Sequence, residues 1–279
     1  RYCETHYKYE YDNFDLELGS VNLEGDNDPS LPSPGPGSTP PPLLPDDKKP
    51  ETRTDCSGSA TQNATNAQNA MTGNASIIDR LNALKQDAAS ATQKNETGTR
   101  IDYVNGKYTN TNYTGTGYYI DIPLSQNTVY TAHTHLSGNF GAPSPGDIQN
   151  FLNNQYYSPN IKGIITMSHD GREYMLVVND PQMAREAYQL RRDYWSTGAD
   201  KFFSNKDMGD LYVESFEKLK AKGFSEEDIY TYTISAALDF YKTGLKLYIK
   251  EKNSTFKETK TEMTNSDATK SDYKPTICP

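Results

Sequence analysis

The run Val129-Tyr-Thr-Ala-His133-Thr-His135 decides how this chain is read. It is rich in β-branched and aromatic residues and predicts a strand over Thr128–His135. Residues two apart on a strand project from one face, so both imidazoles point the same way. Upstream, Arg100–Val104 and Lys107–Thr111 flank Asn105-Gly106, the dipeptide of a tight hairpin turn, and Tyr118–Ile122 reads as a further strand. Downstream, Ser144-Pro145-Gly146-Asp147 opens a short helix, with Ser as N-cap, Pro at the first helical position and an acid at the third. Ile161–Ser168 and Arg172–Val178 then form a second hairpin around His169-Asp170-Gly171.

Further out the apolar spacing becomes helical. Ile77, Ile78, Leu81 and Leu84 predict a helix over 76–91, with Ser76 placed to cap it. Beyond Pro181, helices are expected over 182–195, 208–221 and 225–250, the last carrying Ile229, Tyr232, Ile234, Leu238, Tyr241 and Leu245. Trp195, Tyr230, Tyr241 and Tyr248 read as a packing face. The expected organisation is an acidic, Pro-rich arm over 1–74, an α/β (α+β) domain over 75–180, a helical extension over 181–252 and a flexible tail over 253–279. Within the arm, Ser57–Gly73 is open between weak helix and coil.

The 279 residues carry 28 Lys+Arg against 37 Asp+Glu, a net charge of -9. An acidic surface repels phosphate backbones and anionic lipid, which argues against general nucleic-acid or membrane-surface binding. Residues 1–55 hold 12 acidic and 5 basic side chains, so most of that charge belongs to the arm. For the remainder, the argument against nucleic acid is the lack of a basic stripe. No run reaches the ~18 apolar residues of a membrane-spanning helix. Cys3, Cys56 and Cys278 form no C-x-x-C pair; a Cys3–Cys56 disulfide and three unpaired thiols both fit. The start at Arg1 without Met and the Asn/Thr/Gly-rich composition suggest an exported protein, periplasmic, cell-surface or extracellular, with cytoplasmic residence also compatible.

His133, His135 and Asp147 make two imidazoles and one carboxylate with a fourth position open, the donor set of a hydrolytic zinc site. Alone, H-x-H on a strand is often plain polar surface, and Ser-Pro-x-Asp is a good helix start. A zinc deaminase would need P-C-x-x-C, which is absent, and a binuclear site would need ligands beyond His6 and His169. A single ion is therefore expected.

The stretch His133-Thr-His135-Leu-Ser137-Gly138-Asn-Phe-Gly-Ala-Pro143-Ser144-Pro145-Gly-Asp147 resembles the JAMM signature of JAB/MPN metalloproteases, especially the RadC-like bacterial variety. Leu136 stands where that family commonly has Pro, and the loop from His135 to Ser144 holds one residue more than usual. The resemblance covers about 75–180 and implies a central mixed β-sheet flanked by helices. It implies zinc, one per chain, on His133, His135 and Asp147, an oxyanion-stabilising Ser144, and a general-base Glu on an earlier strand. Glu96 is the sole glutamate between Glu51 and Glu173. The activity implied is cleavage of a peptide or isopeptide amide in a protein or peptide substrate. The competing expectation is an inert JAMM-like binding or scaffold module at the cell surface.

Overall fold

Asn74 separates the first two helices of the structure, α1 (Ala60–Thr72) and α2 (Ala75–Ala89). Its side chain accepts from the amides of Ser76 and Ile77, so Asn74 caps α2 in place of the expected Ser76. The structure, a computed structural model, describes residues 60–191, 207–252, 254–265 and 267–278, all within one unit spanning Asp46–Pro279. The Pro-rich stretch, His6, Cys3, Cys56 and Trp195 lie outside the described residues. Ala64, Ala67 and Met71 of α1 and Ile77, Leu81 and Leu84 of α2 are buried, so residues 60–74 belong to the folded unit rather than to an arm.

The strands follow as β1 (Thr97–Val104), β2 (Lys107–Thr114), β3 (Thr128–His135), β4 (Gly163–Ser168), β5 (Glu173–Val178), β6 (Leu245–Lys250), β7 (Lys257–Met263) and β8 (Tyr273–Ile277). Between them lie α3 (Pro145–Tyr157), α4 (Pro181–Arg191), α5 (Asp207–Ala221) and α6 (Glu226–Phe240). The fold is α+β: one mixed sheet in the order β2-β1-β3-β4-β5-β6-β7-β8, with helices on both faces. All neighbouring pairs are antiparallel except β3 with β4, which the α3 crossover joins in parallel.

Side-chain alternation divides the core in two. Tyr130 and Ala132 of β3, Ile165 and Met167 of β4, and Met175 and Val177 of β5 pack under α1 and α2. Ile164, Tyr174, Leu176, Leu245, Leu247 and Ile249 take the opposite face, under α3 to α6. His133 and His135, out of phase with Tyr130 and Ala132, therefore face the α3 side.

Three further expectations are corrected. The helix expected over 225–250 ends at Phe240, because Lys242 and Gly244 adopt positive φ (49° and 68°). Leu245, Leu247 and Ile249 then alternate as β6. Residues 254–265 and 267–278 are not a loose tail: Thr259, Thr261, Met263 and Tyr273 are buried in β7 and β8, and Cys278 is buried and disulfide-bonded, so the three thiols are not all unpaired. The sheet thus runs through the expected boundaries at 180 and 252. Finally, Tyr118–Ile122 is not a ladder strand and forms only the bridge Thr116 to Tyr119. Both edges of β1 are already paired, with β2 and β3. Ile120 and Ile122 instead lie over Gly98, where an added Cβ would come within 2.9 Å and 2.8 Å of their methyl groups.

Candidate metal centre

Strand β3 delivers His133 and His135, 6% and 5% exposed, to the face covered by α3. Helix α3 delivers Asp147 in its first turn. The helix is held by Ile148, Phe151 and Leu152, each at most 1% exposed, and burying each such side chain contributes ~1.5–3 kcal/mol. A capping box fixes the carboxylate: Asp147 N–H donates to Ser144 Oγ (3.1 Å), and Ser144 N–H donates to Asp147 Oδ2 (2.7 Å).

The ring nitrogens His133 Nε2 and His135 Nε2 stand 3.1 Å apart. Asp147 Oδ1 lies 3.2 Å from the first and Oδ2 3.2 Å from the second. Donors bound at ~2.0–2.1 Å around a tetrahedral ion sit roughly 3.3 Å from one another, close to this triangle. The three form a group of metal-ligating side chains whose atoms lie within 4.8 Å of one another. His135 Nδ1–H donates to the Phe140 carbonyl at 2.7 Å, the outer bond that leaves Nε2 as the ligand atom. Two imidazoles and one carboxylate suit zinc.

Charge is already arranged for a cation. Burial lowers the His135 pKa, but hydrogen bonding and charge from Asp147, the charge of Glu96 and the Phe140 carbonyl outweigh it, and the ring is pushed up to about 9. Burial raises that of Asp147, yet the two imidazoles hold it well below the usual carboxylate range. A cation held by these three side chains would take over what the proton does in its absence.

Glu96 precedes β1. The register pairs Gly98 with His133, so its continuation sets Glu96 opposite His135, on the same face. Thr97 points the other way, to Asp87 of α2 (2.7 Å). Glu96 is 4% exposed, and its backbone is held by Gly117 and Gly115. The structure thus brings His133, His135 and Asp147 together, with Glu96 opposite His135 in register and Ser144 hydrogen-bonded to Asp147. Ser144 is there as the cap of α3, its hydroxyl accepting from Asp147 N–H. Leu136, 3% exposed, packs inward, and Gly138 turns the loop through φ 104°, a conformation natural to glycine.

Sequence reading missed the outer partners. Glu227 Oε1 accepts from Gly141 N–H (2.6 Å) and Tyr174 Oη (3.1 Å), and Phe140 stacks on Tyr230 with ring centres 4.3 Å apart. A main-chain carbonyl leaves no residue-type signature, and Glu227 sits in Ser225-Glu-Glu-Asp228, which reads only as a helix start. No family model, curated protein or solved structure matches the chain. The site itself is therefore the ground for any assignment.

Proposed function

We propose that the protein is a zinc-dependent metallohydrolase of the JAMM type that cleaves a peptide or isopeptide amide. The observation that carries this is the convergence of His133, His135 and Asp147 within 4.8 Å on a buried face with Glu96 beside them. Zinc, when bound, supplies a Lewis acid that brings the pKa of a coordinated water toward ~7. Glu96 accepts the proton of the attacking water and returns it to the leaving amine. The Ser144 hydroxyl uses its oxygen to cap α3, leaving its proton to meet the developing oxyanion; one such donor is worth ~3–4 kcal/mol of barrier. The buried disulfide of Cys278 supports residence in an oxidising compartment and hence export.

Metal analysis after zinc reconstitution tests the reading: about one zinc per chain is expected, lost in His133→Ala. Wild-type protein that takes up no zinc at neutral pH overturns it. Glu96→Gln is expected to keep zinc and lose cleavage of a peptide library, and unimpaired cleavage by that variant removes Glu96 as the base. Stoichiometric zinc without cleavage of any library amide would assign the inert binding module instead.

A further inference from the structure

We propose that Glu227 is a positioning residue for His135, acting through the single peptide group that joins Phe140 to Gly141; this rests on the metal-site reading above. The carbonyl of that peptide accepts the His135 Nδ1–H at 2.7 Å, and the N–H of the same peptide donates to Glu227 Oε1 at 2.6 Å. Carboxylate, amide and imidazole are thus in series. An N–H held by a carboxylate polarises its amide, so the carbonyl becomes a stronger acceptor. A stronger acceptor at Nδ1 fixes the tautomer and makes Nε2 a better ligand atom. The usual outer partner of a metal-bound histidine is a carboxylate or a carbonyl; here a carbonyl is backed by a carboxylate 86 positions along the chain from Gly141.

The surroundings are built for this peptide. A Cβ on Gly141 would collide with Ser168 and crowd Glu227 Oε1 at 3.0 Å, so the close packing of this peptide against Ser168 requires glycine. Tyr174 Oη donates to the same Glu227 oxygen, and the Thr166 hydroxyl holds the next carbonyl, that of Gly141, at 2.9 Å. The Phe140 ring is stacked on Tyr230, three residues after Glu227 on α6. The helix presents both the acceptor for the peptide and the platform for its side chain.

Zinc affinity of the full chain, measured by competition with a chromophoric chelator, tests the relay. Glu227→Ala is expected to weaken zinc on the order of 10–100-fold, the range for loss of an outer partner. Glu227→Gln keeps an acceptor oxygen without the charge and should recover part of that loss. Thr166→Val loosens the same loop but leaves the relay whole, and should stay within about 3-fold of wild type on the same scale. Unfolding midpoints are taken for each. If Thr166→Val weakens zinc as much as Glu227→Ala, or Glu227→Ala binds as tightly as wild type, the relay is wrong. Should wild-type protein bind no zinc, the metal reading fails by itself, and the relay is judged on the metal-free protein. At pH 10 the histidine ring nitrogen shifts report the neutral tautomer. Loss of the Nδ1–H form of His135 in Glu227→Ala upholds the relay, and an unchanged spectrum refutes it.

Discussion

If the site holds zinc as proposed, metal and proton compete for His135, and pH separates them. In the metal-free protein His135 is pushed up to about 9 from 6.5, by Asp147 chiefly and by Glu96 and the Phe140 carbonyl against the cost of burial. At pH 7 the ring lies below that value, so a zinc ion would have to displace a bound proton, a cost on the order of 3 kcal/mol. The apparent zinc affinity should rise about tenfold per pH unit between 7 and 9 and level off above. Stability of the metal-free protein runs the other way. A raised imidazole stabilises the fold fully below pH 6.5 and loses that contribution as pH climbs through about 9. The difference of 2.5 units corresponds to ~3 kcal/mol. Chelator competition gives the first slope, and calorimetry in buffers of different ionisation enthalpy counts the proton released at pH 7. Urea midpoints of the metal-free protein give the second. Glu96→Gln removes one of the charges holding the proton, so its plateau should begin at lower pH. A flat affinity from pH 7 to 9 with no proton released would refute the electrostatic account of the site.

The remaining predictions concern parts of the fold that the site depends on. Tyr273→Ala, in β8 and fully buried, should cost ~3–5 kcal/mol by denaturant titration, whereas a loose tail would show no change. Gly244→Ala should destabilise by ~1–3 kcal/mol, since its φ of 68° is unfavourable for alanine and the new methyl meets Asp180 and Ala184; an unchanged thermal midpoint would contradict the turn described. Ser144→Ala removes the cap of α3 and should lower stability by ~1 kcal/mol while zinc is retained, and loss of the metal in this variant would show that the cap alone places Asp147.

What the sequence made legible follows from how local its causes are. Thr128–His135 is the observed strand residue for residue, because β-branched and aromatic residues are dense there. The Asn105-Gly106 turn, with φ 50° and 78°, fixes β1 against β2 by itself. Ser144 and Asp147 satisfy each other within one helical turn, so the start of α3 was readable. Tyr118–Ile122 has strand composition, but pairing needs a free edge, and β1 had none. Leu245 extends the helical spacing of α6 as well as it begins the alternation of β6, and Gly244 breaks the tie. Strand β7 was hidden by its chemistry: Lys-Glu-Thr-Lys-Thr-Glu-Met is polar, and its inward positions are Thr259 and Thr261. Of the candidate site, the cluster of His133, His135 and Asp147 was legible and the Glu227 contact was not, since it joins one side chain to a backbone amide far away in sequence.

The three candidate ligands all fall between residues 133 and 147, at the two ends of one strand-to-helix connection. Closing so short a loop costs little chain entropy, and low contact order favours early formation. During synthesis this segment, with Glu96 ahead of it, is complete before α6 exists. On the proposed reading, cation capture would need only this local segment, and Glu227 would join the site from a later part of the chain.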